Sequence, residues 1–479
     1  MAILHRQNQV VAQPVSTVVS RSQGRKIPVH VRIFIMSKAI VRTDKWGLQP
    51  SPDVRLHLLA TVDEYRAYCK ALSYVVMGHW PELIAAKSFC AAVEKLIHRT
   101  SQNPDLKYPY FEKRFYKFPS YLRRAAVEFV KGQVSSYLTR YRDWQAGIRK
   151  RRDAKPPAFN VDAGCYPALY KGQLVKFDDG FLVASIKVWN GSDWVWTEVP
   201  IASKRQRHLT GSIKSPYLVI SEQHCHLAVP FKIIPPTWKS EVVCAVDVGI
   251  NTLATASIVC PDGTVLARTF IHPASDIDRR DKQANIIRQK ARKTKTLHRG
   301  FAKTPYRKAR GINANIAQQI SRQLVNFALE YGASTIVFED LKGWRPKGGR
   351  KRSTLKQKFH GWLHRRLVTL TEQKFQEDGG RVVYVYARGT SSWAFDGSGK
   401  VRQSKAQYEL ATFANGKQYS CDLSASYNIA ARYLASKLKL THRKDGQVAK
   451  GKSSCATPRM PVTLSLLWDW EAAYGREAS

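Results

Sequence analysis

The sequence predicts a multidomain α/β chain, and three stretches carry that expectation. Residues 242–251 form a short apolar run with Asp247 near its end and a glycine after it. Residues 334–340 form a second apolar run ending in Glu339, and residues 420–433 read as a helix opening with Asp422. Apolar residues flank Asp247, the pattern of a strand buried on both faces. A carboxylate placed there needs a partner, a hydrogen bond or a cation, because bare burial costs too much.

Taken in order, residues 1–25 are polar and basic, lack the apolar core of a signal peptide, and read as a flexible basic leader. Residues 28–41 alternate in the manner of a strand. From about Thr61 the period becomes helical, with helices expected over 82–100 and 119–144. In the latter, Ser120 is placed to cap the start, and Leu122, Ala126, Phe129, Val130, Val134, Tyr137 and Leu138 form one stripe. Between these helices, residues 108–118 interleave aromatics with lysine and arginine, beside Lys107. That pattern suits base stacking with phosphate contacts through Lys107, Lys113 and Arg114, and equally a core-edge loop with its cations in water. A basic run at 149–152 followed by Pro156-Pro157 marks a linker. Strands over 173–177, 181–189 and 194–201, joined by Asp178-Asp-Gly180 and Asn190-Gly191, form a meander, and 217–234 adds more strand. With the first strand joining them, a small β-barrel interrupted by a helical insertion is expected.

The C-terminal half reads as a three-strand meander (242–251, 252–260, 264–271), a basic and partly helical stretch (276–310), and an amphipathic helix (312–331). The Glu339 strand follows, then a Gly/Lys/Arg loop (343–353), a helix (354–376) with Phe359, Trp362 and Leu363 on its apolar side, and a strand (381–387). A Ser/Gly-rich insertion (388–421), the Asp422 helix (422–438) and a Lys/Gly/Ser-rich tail read as disordered complete it. This is the element order of an RNase H-like fold. Three acids at element ends can meet there at two Mg²⁺ ions, about 3.5–4 Å apart, with Mn²⁺ as a substitute. Asp247, on the central strand, is the candidate to bridge both ions, with Glu339 and Asp422 flanking it. Asp340 points to the opposite strand face and takes no part.

The 479 residues hold 78 Lys and Arg against 36 Asp and Glu, a formal charge of +42. A chain this basic favours a polyanion, nucleic acid first, and no apolar stretch is long enough to span a bilayer. The eight cysteines are scattered without a CxxC, which fits reduced thiols in a cytosolic protein.

Residues 245–254 (Ala-Val-Asp-Val-Gly-Ile-Asn-Thr-Leu-Ala), 337–343 (Val-Phe-Glu-Asp-Leu-Lys-Gly) and 421–432 (Cys-Asp-Leu-Ser-Ala-Ser-Tyr-Asn-Ile-Ala-Ala-Arg) resemble the three RuvC motifs of compact type V CRISPR effectors and of TnpB, a transposon-encoded RNA-guided nuclease. Residues 118–124 (Phe-Pro-Ser-Tyr-Leu-Arg-Arg) are also similar to the family and add Arg123 and Arg124 as candidate nucleic-acid contacts. The resemblance implies a leader (1–26), a wedge-like β-barrel in two parts (27–60 and 151–236) around a helical recognition lobe (61–150), and a RuvC-like nuclease domain in two parts (237–387 and 422–440). A degenerate zinc-finger-like insertion (388–421) and a tail (441–479) complete this division. It implies a bacterial cytoplasmic protein that binds a guide RNA, pairs it with double-stranded target DNA beside a short flanking motif, and cuts at one site. One or two copies per RNA remain open. Asp247, Glu339 and Asp422 become the catalytic, metal-binding acids. The Gly/Lys/Arg loop offers Arg350 and Lys351 as further phosphate contacts and reads equally as a mobile solvated loop, and Arg388 is a candidate contact to the scissile phosphate or the DNA strand. Where most relatives carry two CxxC pairs, only Cys421 stands here, so no structural zinc is expected; Trp393, Phe395, Tyr408 and Phe413 are expected to fill that centre. Two rival readings stay open: a guided protein that binds without efficient cutting, and a guide-independent transposase or resolvase.

Overall fold

The computed structural model describes residues 39–148, 155–204, 207–249, 252–295, 298, 300–341, 363–403, 409–442, 448–450 and 461–474. They fall into two compact units, Ile35–Thr237 with Gln373–Gly379, and Trp238–Glu372 with Gly380–Ser479.

The first unit opens with β1 (Ile40–Leu48). Helices α1 (Pro52–Gly78), α2 (Trp80–Ala85), α3 (Phe89–Ile97), α4 (Tyr110–Arg114) and α5 (Ser120–Gln145) follow. Strands β2 (Val175–Phe177), β3 (Val183–Trp189), β4 (Trp194–Ser203), β5 (Ser212–Ile213), β6 (Tyr217–Ile220) and β7 (Cys225–Ile233) complete it. The sheet runs β2-β3-β4-β1-β7-β5 with β6 also on β7. Among the described residues its two ends do not pair, so it is an open sheet where a barrel was expected. Most of the strand expected at 28–41 lies outside the described residues; the strand that joins the sheet runs later, through Trp46. That indole is fully buried, with Phe177 and Phe181 edge-on at 5.5 and 5.4 Å between ring centroids.

The helical insertion starts at Pro52, earlier than Thr61, because Ser51 accepts a hydrogen bond from the Val54 N–H and proline suits the first turn. The helix expected over 82–100 is two helices, with a second serine cap at Ser88. Ser120 is no cap: Pro119 holds that place, and its ring offers no acceptor to the first-turn N–H groups. The stripe of α5 is otherwise as the period requires, burying Leu122, Ala126, Val130 and Val134.

The second unit is built on β8 (Val243–Asp247), β9 (Ala254–Val259), β10 (Val265–Ile271), β11 (Thr335–Asp340) and β12 (Arg381–Tyr386), in the order β10-β9-β8-β11-β12. β8, β9 and β10 form an antiparallel meander, while β11 runs parallel to both β8 and β12. All of β9 and the first four residues of β8 and β11 are buried, as strands covered on both faces must be. Helices α6 (Ala274–Thr294) and α7 (Lys303–Glu330) pack as a pair, and α8 spans His364–Glu377. Phe359 and Trp362, expected on that helix, lie outside the described residues. The insertion holds β13 (Arg402–Gln403), β14 (Leu410–Thr412) and β15 (Gln418–Ser420). Helix α9 (Cys421–Leu438), capped by Ser420, lies against β8 and β9.

The tail contradicts the disorder expected of it. Its described part contains a hairpin of β16 (Leu440–His442) and β17 (Val448–Lys450) and the helix α10 (Ser465–Tyr474). Leu464 and Leu467 are fully buried in the same core as Tyr427 and Leu434, and the Trp468 Nε1–H donates to the Gly263 carbonyl at 3.0 Å. The Lys/Gly/Ser composition masks one short apolar helix. No helix among the described residues is long and apolar enough to cross a membrane. Replacing Leu467 by alanine should destabilise the chain by about 2–5 kcal/mol, read as a lower urea midpoint; a change under about 0.5 kcal/mol would mark the tail as peripheral.

Candidate active site

Alternation puts Val243, Ala245 and Asp247 on one face of β8, and Thr335, Val337 and Glu339 on the corresponding face of β11. The strands pair in parallel, Val337 opposite Ala245 and Phe338 opposite Val246, so Asp247 and Glu339 follow side by side at the end of the ladder. Val243, Ala245 and Val337 share a core with Leu423, Tyr427, Ala430 and Leu434 of α9. The acids therefore face the side that α9 covers, and Asp422 stands in the first turn of that helix. Asp340 turns the other way, where its charge reaches His364 of α8.

All three acids are half-buried. Burial lifts the Asp247 carboxyl well above the usual carboxylate range, and the charges of Glu339 and Asp422 push it the same way, against one hydrogen bond from the Val248 N–H. Burial raises Glu339 as well, opposed by a hydrogen bond from the Thr390 hydroxyl and by the charge of Arg432. Asp422 is raised by burial and then by Glu409.

Thr390, Asn428 and Arg432 are the residues that sequence reasoning missed. Ser424, Asn428 and Arg432 recur every four residues along α9, so they share a face. Asn428 Nδ2 donates to the carbonyls of Thr390 at 2.9 Å and Trp393 at 2.8 Å, and the Ser424 hydroxyl reaches Trp393 O at 3.5 Å. Arg432 donates through Nη1 to the Tyr386 carbonyl and through Nη2 to Arg388 O at 3.0 Å. This face clamps the loop after β12, which carries the Thr390 hydroxyl onto Glu339. Polar residues at a spacing of four on an otherwise apolar helix were the available signal.

The other candidates are dispersed. Arg388 is exposed, and Arg350 and Lys351 lie outside the described residues. In the first unit Arg114 forks onto Glu64 at 2.6 and 3.1 Å, and Arg123 is nearly buried with Glu94 at 3.6 Å. Lys107, Lys113 and Arg124 are exposed. Phe111, Phe115 and Phe118 are core residues, which is the bland reading of the 108–118 stretch, while Tyr110 and Tyr116 stay exposed. In the insertion, Phe395 packs against Phe413, Tyr419, Tyr427 and Trp468, with ring centroids 4.9–6.1 Å apart. Trp393 sits at the margin under Lys400, and Tyr408 lies outside the described residues.

Among the described residues, no three His, Cys, Asp or Glu side chains are gathered into a ready ligand set. The donor chemistry still fits a hard divalent cation. Carboxylate oxygens are what Mg²⁺ prefers, and a cation would cancel the repulsion that Asp247 meets from both neighbours.

A TnpB-like protein of Aquifex aeolicus (strain VF5), aq_aa05, is 29% identical to this chain over 117 residues. The chain is similar to TnpB over that segment. It takes in 24% of this chain and spans 38% of the relative's length. The model of the Aq_aa04 family matches residues 42–190, from β1 into the turn after β3 and so outside the three-acid unit. Among solved structures, a complex of Cas12f1 with sgRNA and target DNA is 12% identical, covering 82% of this chain and 99% of that one, with a TM-score of 0.30. The mini-RNA-guided endonuclease CRISPR-Cas_phi3 is 10% identical, covering 84% and 93%, with a TM-score of 0.43.

Because the folded-state Asp247 carboxyl holds its proton more tightly than in the unfolded chain, stability is lost as pH rises from the ordinary carboxylate range through the raised value. Asp247→Asn removes that cost. In chelator-treated buffer it should melt above the parent near about pH 8, with the gain shrinking toward about pH 4. Thermal unfolding followed by circular dichroism checks this; a variant less stable at every pH would contradict it.

Proposed function

We propose that the chain is an RNA-guided, divalent-metal-dependent DNA endonuclease in which Asp247, Glu339 and Asp422 hold the metal. The reading is carried by one observation: Asp247 and Glu339 end adjacent parallel strands on the face under α9, and Asp247 is repelled by both other acids. The order β10-β9-β8-β11-β12, an antiparallel meander followed by two parallel strands, supports an RNase H-like, RuvC-type domain. A +42 chain supports a nucleic-acid partner, and its dispersed charge suits a protein that grips backbone while base pairing reads sequence.

Bound Mg²⁺ would supply an activated water and Lewis-acid stabilisation of the leaving oxyanion. The chain's own residues supply placement. Asp247 alone feels the charge of both other acids, which suits a shared ligand. Thr390 holds the Glu339 carboxylate in one orientation, and Asn428 and Arg432 hold the loop that carries Thr390. In the first unit, guide RNA and target DNA are the partners that the exposed Lys107, Lys113 and Arg124 would meet.

RNA should co-purify with the chain from cells carrying its locus. Asp247→Ala should then lose guide-dependent cleavage of double-stranded DNA in Mg²⁺ while still binding RNA and target. Cleavage that survives the substitution removes the site assignment. A parent complex that binds but never cuts leaves a guided binder, and activity without RNA leaves a transposase or resolvase.

A further inference from the structure

β9 pairs antiparallel with β8, and the ladder sets Thr255 directly opposite Asp247 and Ser257 opposite Ala245. Residues opposite one another in such a ladder share a face, with Cβ atoms about 4.5–5.5 Å apart. Val259, further along β9, packs in the core that α9 covers, together with Val243, Ala245 and Leu423. Alternation puts Ser257 and Thr255 on that same face, with Thr255 level with Asp247. Thr255 is 1% exposed and its hydroxyl has no hydrogen-bond partner. A buried polar atom left unpaired costs about 1–3 kcal/mol, so its place beside an acid calls for an explanation. The two strand-end acids also differ. Glu339 accepts from the Thr390 hydroxyl, while among the described residues no side-chain hydroxyl serves Asp247.

We propose that Thr255 is the positioning residue for Asp247: its hydroxyl donates to one oxygen of the ionised carboxylate and leaves the other oxygen to the cation shared with Glu339 and Asp422. The inference deepens the proposed function and rests on its metal site. The bond requires only side-chain rotation, since the two Cβ atoms already stand at ladder distance. A hydroxyl suits the task because it donates to an anion without bringing a charge of its own. A lysine or arginine there would cancel the negative charge that draws the cation. Branching at Cβ leaves threonine few rotamers, so little freedom is lost in aiming the donor. Removing a group that orients a metal ligand typically weakens metal binding by about 10–100-fold. Ser257 supplies an internal comparison. Its hydroxyl is equally buried and equally unpaired, but it stands opposite Ala245, whose side chain accepts nothing.

The test titrates the full chain, freed of nucleic acid, with Mn²⁺ and follows the free ion by electron paramagnetic resonance. Asp247→Ala marks what binds elsewhere. Thr255→Val, of nearly the same shape, should weaken the Asp247-dependent Mn²⁺ binding roughly tenfold. Its unfolding temperature in chelator should stay unchanged or rise, because a buried unpaired hydroxyl has gone. Thr255→Ser should restore the parental affinity, and Ser257→Ala should bind Mn²⁺ as the parent does. A Thr255→Val chain that binds like its parent, or whose loss Ser257→Ala matches, would overturn the positioning role and leave the metal site standing. A Thr255→Val chain that loses stability in chelator along with affinity would overturn it too, marking the hydroxyl as structural. A parent chain with no Asp247-dependent Mn²⁺ would overturn both the role and the site.

Discussion

A carboxylate at the end of a strand walled in by other strands is the constraint around which the second unit is arranged. Asp247 has β9 on one side and β11 on the other, and α9 above it. Parallel pairing with β11 forces Glu339 to the same level and face, and α9 adds Asp422. Like charges in a poorly solvated place repel, and each of the three carboxyls is pushed upward. Among the described residues, only Glu339 has a compensating cation and hydroxyl at hand, in Arg432 and Thr390. The remaining excess is negative, inside a chain whose overall charge is strongly positive. Such a pocket would repel a phosphodiester unless a divalent cation intervened, which is why the proposed function takes a metal there.

The insertion shows a different solution to small size. A loop of this length with three short strands buries little apolar area alone. Here Phe395 joins Phe413, Tyr419, Tyr427 and Trp468, rings drawn from the insertion, α9 and α10. Each well-placed aromatic pair contributes about 0.5–1.5 kcal/mol beyond its area. The insertion is thereby tied to the helix that carries Asp422, so its order and that of the site are coupled through Tyr427.

Much of this was legible in the sequence, and the failures have physical causes. The two-sided burial of β8, the meander turns and the face of Glu339 against Asp340 follow from the apolar pattern and strand period alone. The start of α1 was missed because Ser51 and Pro52 act through a cap, outside the apolar stripe. The α10 helix was missed because composition averaged over the tail conceals Leu464 and Leu467. The spacing of Asn428 and Arg432 on α9 was visible, but their partners are backbone carbonyls and that of the Thr390 hydroxyl is a carboxylate fifty-one residues away, all brought near only by the fold. The pairing of Arg114 with Glu64, fifty residues apart, is likewise tertiary. The phenylalanines at 111, 115 and 118 could equally have faced water, because their stretch lacks a long enough period to choose.

The proposed function requires that the carboxyls of Asp247, Glu339 and Asp422 close on shared divalent cations. Anomalous diffraction from crystals of the parent chain soaked in Mn²⁺ tests this most directly. Density is expected within about 2–2.5 Å of Asp247 oxygens and of at least one oxygen each from Glu339 and Asp422. Ordered carboxylates with no anomalous density among them, or Mn²⁺ held only at other acids, would contradict it.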